Sequence, residues 1–172
     1  YQSTADGGSQ SNLVVPMGPP GAPDSKGLIY YGTVCEVNGE LWMWYLGLGD
    51  HDEKRHYRIC LAKSKDGRRW EKPALGAIEY AGTRQNNLVD LDGGRFSVAG
   101  CVVYHDPAEA DTARRFKMVF TGAKYEGLRF GVAYSADGVR WTESPRNPRG
   151  ALKLEPQGGI KWQGAYYVNG QG

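Results

Sequence analysis

Apolar side chains along this chain come in short runs and alternate with polar ones, the pattern of half-buried β-strands. Strands are predicted over residues 28–37, 41–47 and 57–64. The dipeptide Asn38-Gly39 between the first two is a strong signal for a tight hairpin turn. No stretch of twelve or more residues has the period of an amphipathic helix. The pattern therefore predicts an all-β fold.

The second half of the chain repeats this layout, with strands predicted over 96–104, 116–122 and 129–135. Both halves contain the motif Ser-x-Asp-Gly-x-x-Trp, at residues 64–70 and 135–141. Its Ser and Asp side chains can bond nearby backbone N–H groups, its glycine accepts a positive φ, and its tryptophan can pack between sheets. Short strands with such a turn are typical of a propeller blade. Two unrelated hairpins in a β-sandwich are the alternative.

The repeats predict one partial β-propeller domain over residues 1–172, of the five-bladed type. Blade-like units are expected at about 24–80 and 95–150, and a third blade begins at about 155. Propellers carry about four to eight blades, so about two blades and the start of a third form an open fragment. Tyr1 is not a methionine and no signal peptide follows it, which favours a trimmed chain. The compartment stays open, with secretion and the periplasm among the options.

Composition narrows the function classes. The chain has 25 glycines, about twice the average usage, which suits many tight turns. A net charge of +2 argues against a nucleic-acid partner, and the apolar runs are too short for a membrane span. Three cysteines without a CxxC pair are expected to be buried apolar residues. The charged run 51–56 is expected to be a solvated loop, so neither a metal site nor a cofactor is predicted.

Three acidic residues lie beside the predicted first strands of the three blades. These are Asp24, Asp106 and Glu155. Cleavage of a glycosidic bond needs one group to protonate the leaving oxygen and another to activate water or attack the sugar; a third can tune the first. Each acid taken alone is better explained as an ordinary residue of a turn or a strand end. As a set they predict a three-carboxylate site.

The chain resembles the five-bladed β-propeller glycosidases, the invertase- and fructanase-like family 32 and the arabinanase- and xylosidase-like family 43. The resemblance lies in the two Ser-x-Asp-Gly-x-x-Trp turns, residues 39–45, His105-Asp106-Pro107, and Glu155 ahead of residues 164–167. It implies that Asp24 is the base or nucleophile, Asp106 the supporting acid and Glu155 the general acid. The sequence departs from the invertase pattern around Asp24, where Ala22-Pro23-Asp24-Ser25 replaces Trp-x-Asn-Asp-Pro-Asn.

Four further residues are candidates for substrate binding. Trp42 and Trp44 share one face of a strand, where a ring can stack on a sugar or simply pack in the core. His105 stands before Asp106, and Asn87 lies in a stretch resembling one of invertase-like proteins. The sequence thus predicts a glycoside hydrolase-like protein that acts on carbohydrate, with furanosidic bonds among the candidates. A non-catalytic propeller that binds carbohydrate or protein, or an inactive fragment, is the alternative.

Overall fold

The computed structural model describes residues 14–53 and 55–172, and almost all regular structure in these residues is β. Their only helical segments are three single turns of 3₁₀ helix. These turns are Asp92–Gly94, Thr112–Arg114 and Glu126–Leu128. The strands form three sheets that follow one another along the chain. The predicted all-β class is confirmed, and the arrangement is that of an open β-propeller fragment.

The first sheet is the first blade, and its third strand is its longest. Both of the two preceding strands pair antiparallel with it on one edge, and the fourth strand pairs on the other edge. Asn38 and Gly39 both have positive φ, as a tight hairpin turn requires. The strands of this sheet are β1 (Gly27–Ile29), β2 (Val34–Val37), β3 (Glu40–Leu48) and β4 (Arg58–Ser64).

The predicted strand 28–37 is interrupted, and β1 and β2 are its two parts. Between them the backbone leaves β3 and contacts the second sheet. Gly32 lies so close to the second sheet that a Cβ atom added to it would be 2.6 Å from the carbonyl oxygen of Cys101. The Val103 N–H donates to the Thr33 hydroxyl at 3.0 Å. Contacts with a distant part of the chain therefore break a strand that local alternation predicts as continuous.

The second sheet is the second blade. Its main ladder runs β6-β7-β8-β9, all antiparallel, and β5 adds to β9 in parallel while β10 pairs with β8. Strand β5 belongs to the segment that leads from the first blade into the second. The strands are β5 (Asp90–Leu91), β6 (Val98–His105), β7 (Phe116–Gly122), β8 (Arg129–Ser135), β9 (Arg140–Glu143) and β10 (Arg149–Lys153).

The third sheet is a hairpin of β11 (Glu155–Trp162) and β12 (Ala165–Gln171), which we call the third-blade hairpin. Gln163 and Gly164 form its turn with positive φ. The hairpin packs against β6 and β7 of the second blade. Its outward side carries several exposed apolar residues, among them Ile160 and Trp162.

The two Ser-x-Asp-Gly-x-x-Trp motifs fold into the same turn. In the first, Gly67 N–H donates to the Ser64 hydroxyl at 2.9 Å and Arg68 N–H donates to the Asp66 carboxylate at 2.8 Å. The Trp70 indole N–H closes the turn on the Gly67 carbonyl at 3.1 Å. The same bonds recur at residues 135–141, at 2.9, 2.8 and 3.2 Å. Side chains thus satisfy backbone groups at each turn, as the sequence predicts.

Two apolar cores result. The larger one lies between the first and second blades and includes Trp44, Leu61, Val103, Phe120 and Trp141. The smaller one lies on the opposite face of the first blade, where the segments around Val15 and Tyr80 cover Met43, Tyr45 and Cys60. All three cysteines are free, with Cys60 and Cys101 buried and Cys35 half-buried. Burial raises the pKa of the Cys101 thiol to about 12, so it stays protonated at neutral pH.

Candidate functional site

The first strands of the three blades run side by side in the same direction. Near the start of β2, the Tyr31 carbonyl accepts from Cys101 N–H of β6 at 3.4 Å; at its end, the Glu36 carbonyl lies 2.8 Å from His105 Nδ1. Likewise Gly100 of β6 abuts Pro156 at the start of β11, whereas residues 105–106 meet the end of β11. This is the arrangement of the innermost strands around a propeller channel.

A groove of about 540 Å³ runs along these inner strands. Three glycines expose their backbone in this groove, and the side chains that line the groove are aromatic, charged and apolar. Its lining residues include Tyr30, Gly32, Glu36, Tyr104, His105, Gly158, Gly159, Ile160 and Lys161. Exposed backbone together with aromatic and hydrogen-bonding side chains suits a polar ligand that also has apolar faces, such as a sugar.

Asp106 joins the second blade to the third-blade hairpin. Its carboxylate accepts from Lys161 Nζ at 2.7 Å and from the Tyr166 hydroxyl at 2.5 Å, and Lys117 Nζ lies 3.8 Å away. The bonds from Lys161 and Tyr166, with the charges of both lysines, lower the pKa of Asp106 to about 2. The carboxylate is therefore ionised at neutral pH and tied to the hairpin by both of its donors.

We expect Asp106→Asn to loosen the third-blade hairpin without unfolding the first two blades. A neutral amide keeps the size of the side chain but loses both charge-assisted bonds. Amide hydrogen exchange of residues 155–171 should therefore quicken several-fold, while that of β3 and β7 stays unchanged.

Acid should reproduce this effect in the wild-type protein. Because the pKa of Asp106 is lowered in the folded state, its ionised carboxylate stabilises the fold fully above about pH 4, the ordinary range of an aspartate. This stability is lost as the pH falls through about 2.

The control for Asp106→Asn is Asp90→Asn, at a half-buried position at the outer edge of the second blade. Equal exchange in wild type and Asp106→Asn would contradict the role assigned to Asp106.

Asp24 is fully buried beneath the first blade, in the smaller core. Its carboxylate accepts from Lys72 Nζ at 2.5 Å, from the Tyr45 hydroxyl at 2.7 Å and from Gly18 N–H at 3.2 Å. Asn87 extends the network, because its amide donates to the Tyr45 hydroxyl at 2.8 Å and to the Leu61 carbonyl at 3.0 Å. Asp24 is not among the residues that line the inner-strand groove.

Glu155 is the half-buried first residue of β11, at the end of the inner strands opposite to Asp106. No hydrogen bond or ion pair joins its carboxylate to the rest of residues 14–53 and 55–172. Six residues of strand separate Glu155 from Lys161, the partner of Asp106, which corresponds to roughly 20 Å. Paired glycosidase carboxylates lie about 5–10 Å apart. The structure therefore does not bring Asp106 and Glu155 together, and the three-carboxylate site stays a prediction.

The four predicted substrate-binding residues have different surroundings. His105 lines the inner-strand groove and stacks on Phe116 at 4.6 Å between ring centroids. Trp42 is half-buried and also stacks against Phe116, at 5.9 Å between ring centroids. Trp44 is buried between the blades, and Asn87 is buried in the Asp24 network. Only His105 of the four borders the groove.

Sequence reasoning missed Lys161, Tyr30 and Glu36, which line the groove. A signal for two of them was available, because Tyr30 and Glu36 lie within a predicted inner strand whose alternation places some side chains towards the channel. Lys161 had no such signal, since its role depends on its contact with Asp106 across two blades.

Among residues 14–53 and 55–172, no cluster of three or more His, Cys, Asp or Glu side chains has the geometry to hold a metal ion. In the same residues, no helix is both long enough and apolar enough to span a membrane.

Comparison with known proteins gives likeness in structure only. No family model matches the sequence, and no curated protein does. A fructofuranosidase from Schwanniomyces occidentalis, solved with fructose, matches with a TM-score of 0.57 and 12% identity over 91% of this chain and 31% of its own. A protein of unknown function from Dyadobacter fermentans matches with a TM-score of 0.56 and 19% identity, over 94% of this chain and 40% of its own.

A GH32 β-fructofuranosidase from Bombyx mori matches with a TM-score of 0.50 and 12% identity, over 82% of this chain and 28% of its own. The chain thus spans about a third of the length of these structures. At such identities the likeness concerns the fold, and the predicted resemblance to propeller glycosidases is confirmed at that level.

Proposed function

We propose that this chain, which has the fold of part of a glycoside hydrolase propeller, contributes a carbohydrate-binding groove along its inner strands. The observation that carries the proposal is the parallel placement of β2, β6 and β11, with the 540 Å³ groove beside them. In propellers, the inner strands converge on the channel where ligands bind. The fructofuranosidase structure solved with fructose supports a sugar as the ligand class.

The groove's chemistry fits a saccharide. His105, Lys161 and Glu36 offer charged or hydrogen-bonding groups, and Tyr30 offers a partly exposed ring. Hydroxyl groups of a sugar both donate and accept, so a mixture of donors and acceptors is more suitable than a surface of one charge sign. Gly158 and Gly159 also line the groove, and because they have no side chain a ligand can approach their backbone.

Hydrolysis of a glycosidic bond is the second candidate, and Glu155 favours it. Its carboxylate is half-buried at the start of an inner strand and has no partner among the described residues. A carboxyl group that is not bound in a salt bridge remains available to give a proton to a leaving group. Asp24 and Asp106 both have structural partners in this chain. The second carboxyl group that such a reaction needs is therefore not assigned.

One experiment tests both candidates. The 172-residue chain is titrated by calorimetry with oligosaccharides from fructan, arabinan and xylan, and released reducing ends are measured in parallel. Binding of one class that weakens about tenfold in His105→Ala supports the groove, because a lost hydrogen bond with a buried ligand is worth about 1.4 kcal/mol. His51→Ala, an exposed histidine that does not line the groove, is the control.

The readouts separate the candidates. Turnover that Glu155→Gln abolishes, with binding retained, supports hydrolysis. Binding without turnover leaves the carbohydrate-binding propeller as the function. Absence of binding to all three classes, with a folded protein by circular dichroism, contradicts the proposal.

A further inference from the structure

Three arginines surround a second pocket, on the side of the second blade that carries β8 and β10. Its volume is about 370 Å³, and it is separate from the inner-strand groove. We call it the arginine pocket. It is lined by Arg114, Tyr134, Ser144, Pro145, Arg146 and Arg149.

The arginine pocket has an excess of positive charge. None of its three guanidinium groups forms an ion pair with a carboxylate in residues 14–53 or 55–172. The carboxylates nearest in sequence pair with lysines: Glu143 bonds Lys124 at 2.5 Å, and Glu109 pairs with Lys117 at 3.0 Å. The charge of Arg114 contributes less than Lys117 to the lowered pKa of Glu109. Asp111 accepts from Ala113 N–H at the start of a 3₁₀ turn.

Two of the guanidinium groups are held in place before any ligand arrives. Arg114 lies over the Tyr134 ring, 4.2 Å from its centroid. Arg149 donates to the buried Ser144 hydroxyl at 3.2 Å, and that hydroxyl also accepts from Arg146 N–H at 3.3 Å. Side chains that are already ordered lose less conformational entropy on binding, and the planar guanidinium matches the geometry of oxyanions.

We propose that the arginine pocket binds a ligand bearing an oxyanion, that is a sulfate, phosphate or carboxylate group. The guanidinium groups of Arg146 and Arg149 face the anion, and Arg114 adds the third charge. Tyr134 and Pro145 supply apolar surface on which the carrier of the oxyanion, such as a sugar ring, can rest. This site does not depend on the groove or on hydrolysis.

The test uses the 172-residue chain and Arg146→Gln. Arg146 is exposed and bonds the turn only through its backbone N–H, so its side chain can be changed without disturbing the fold. The control is Arg68→Gln, an exposed arginine whose backbone N–H bonds a turn side chain in the same way. Calorimetric titrations with sodium sulfate, sodium phosphate and sodium glucuronate are made at ionic strength fixed with sodium chloride.

Saturable binding of at least one of these anions is expected, weakened about tenfold or more by Arg146→Gln and unchanged by Arg68→Gln, because only Arg146→Gln removes a charge-assisted bond to the anion. Arg114→Gln should weaken binding as well. Dextran sulfate, polygalacturonate and neutral dextran then distinguish a saccharide carrier from a free ion. No saturable binding beyond chloride, or equal loss in Arg68→Gln, overturns the proposal.

Discussion

Trp44→Ala is expected to destabilise the chain more than any other single substitution considered. Trp44 is 1% exposed, lies between the first two blades, and its indole N–H donates to the Gly138 carbonyl at 2.9 Å. Its ring also meets Phe116 and Trp141 edge-on. Removing a buried tryptophan costs about 3–5 kcal/mol, a large share of the about 5–15 kcal/mol that stabilises a typical domain. Urea unfolding followed by circular dichroism measures the loss.

Trp162→Ala is the matched control. The same side chain is 60% exposed on β11, so its removal should change the free energy of unfolding by less than about 0.5 kcal/mol. Trp44→Phe separates packing from hydrogen bonding, because it keeps most of the ring volume and removes one of the two indole N–H donors to the Gly138 carbonyl, while Trp141 keeps the other. Similar losses in Trp44→Ala and Trp162→Ala would contradict the interface between the two blades.

Asp24→Ala is expected to cost about 3 kcal/mol. It leaves the ammonium of Lys72 without its carboxylate partner and the Tyr45 hydroxyl without an acceptor, in a site closed to water on the Asp24 side. Breaking a buried pair by removing one partner costs about 3–5 kcal/mol, and the partial exposure of Lys72 places the effect at the lower end. Thermal and urea unfolding measure it.

The double variant Asp24→Ala/Lys72→Met tests the reason for this cost. If an unpaired charge causes it, removing Lys72 as well should restore part of the stability, since a thioether tolerates the apolar site. Glu79→Ala, at an exposed position, is the control and should have little effect. An Asp24→Ala protein as stable as wild type would show that the buried network holds nothing together.

The strands and turns could be predicted because their causes are local. A short apolar run marks β3 and alternation with a period of two marks β7, and the Ser and Asp side chains of the repeated turns bond backbone groups within three residues. The break between β1 and β2 could not be predicted, because it comes from contacts of Gly32 and Thr33 with β6, which is far away in the sequence. Local patterns contain no information on such contacts.

For the predicted site residues, too, the position along a strand could be predicted from the sequence, whereas distant partners could not. Asp106 and Glu155 both lie beside first strands, but Asp106 follows β6 and Glu155 begins β11. Strands that run in the same direction place these two residues at opposite ends, and their order in the sequence already contained this information. The partners of Asp24 and Trp44 lie elsewhere in the chain, at Lys72 and Gly138, so only the folded structure reveals them.

The order of contacts along the chain also has a kinetic consequence. Strands β1 to β4 pair among themselves, β6 to β9 do so next, and the third-blade hairpin contacts mainly β6 and β7. Each blade therefore needs only the one made before it as a template. Such a chain can acquire structure vectorially during translation, because the main strand pairs of each blade are local, whereas the bond from Trp44 to Gly138 and the pairing of β5 with β9 form only when the end of the second blade has emerged. The self-contained Ser-x-Asp-Gly turns, closed by bonds within six residues, are suited to set the register of each hairpin as it emerges.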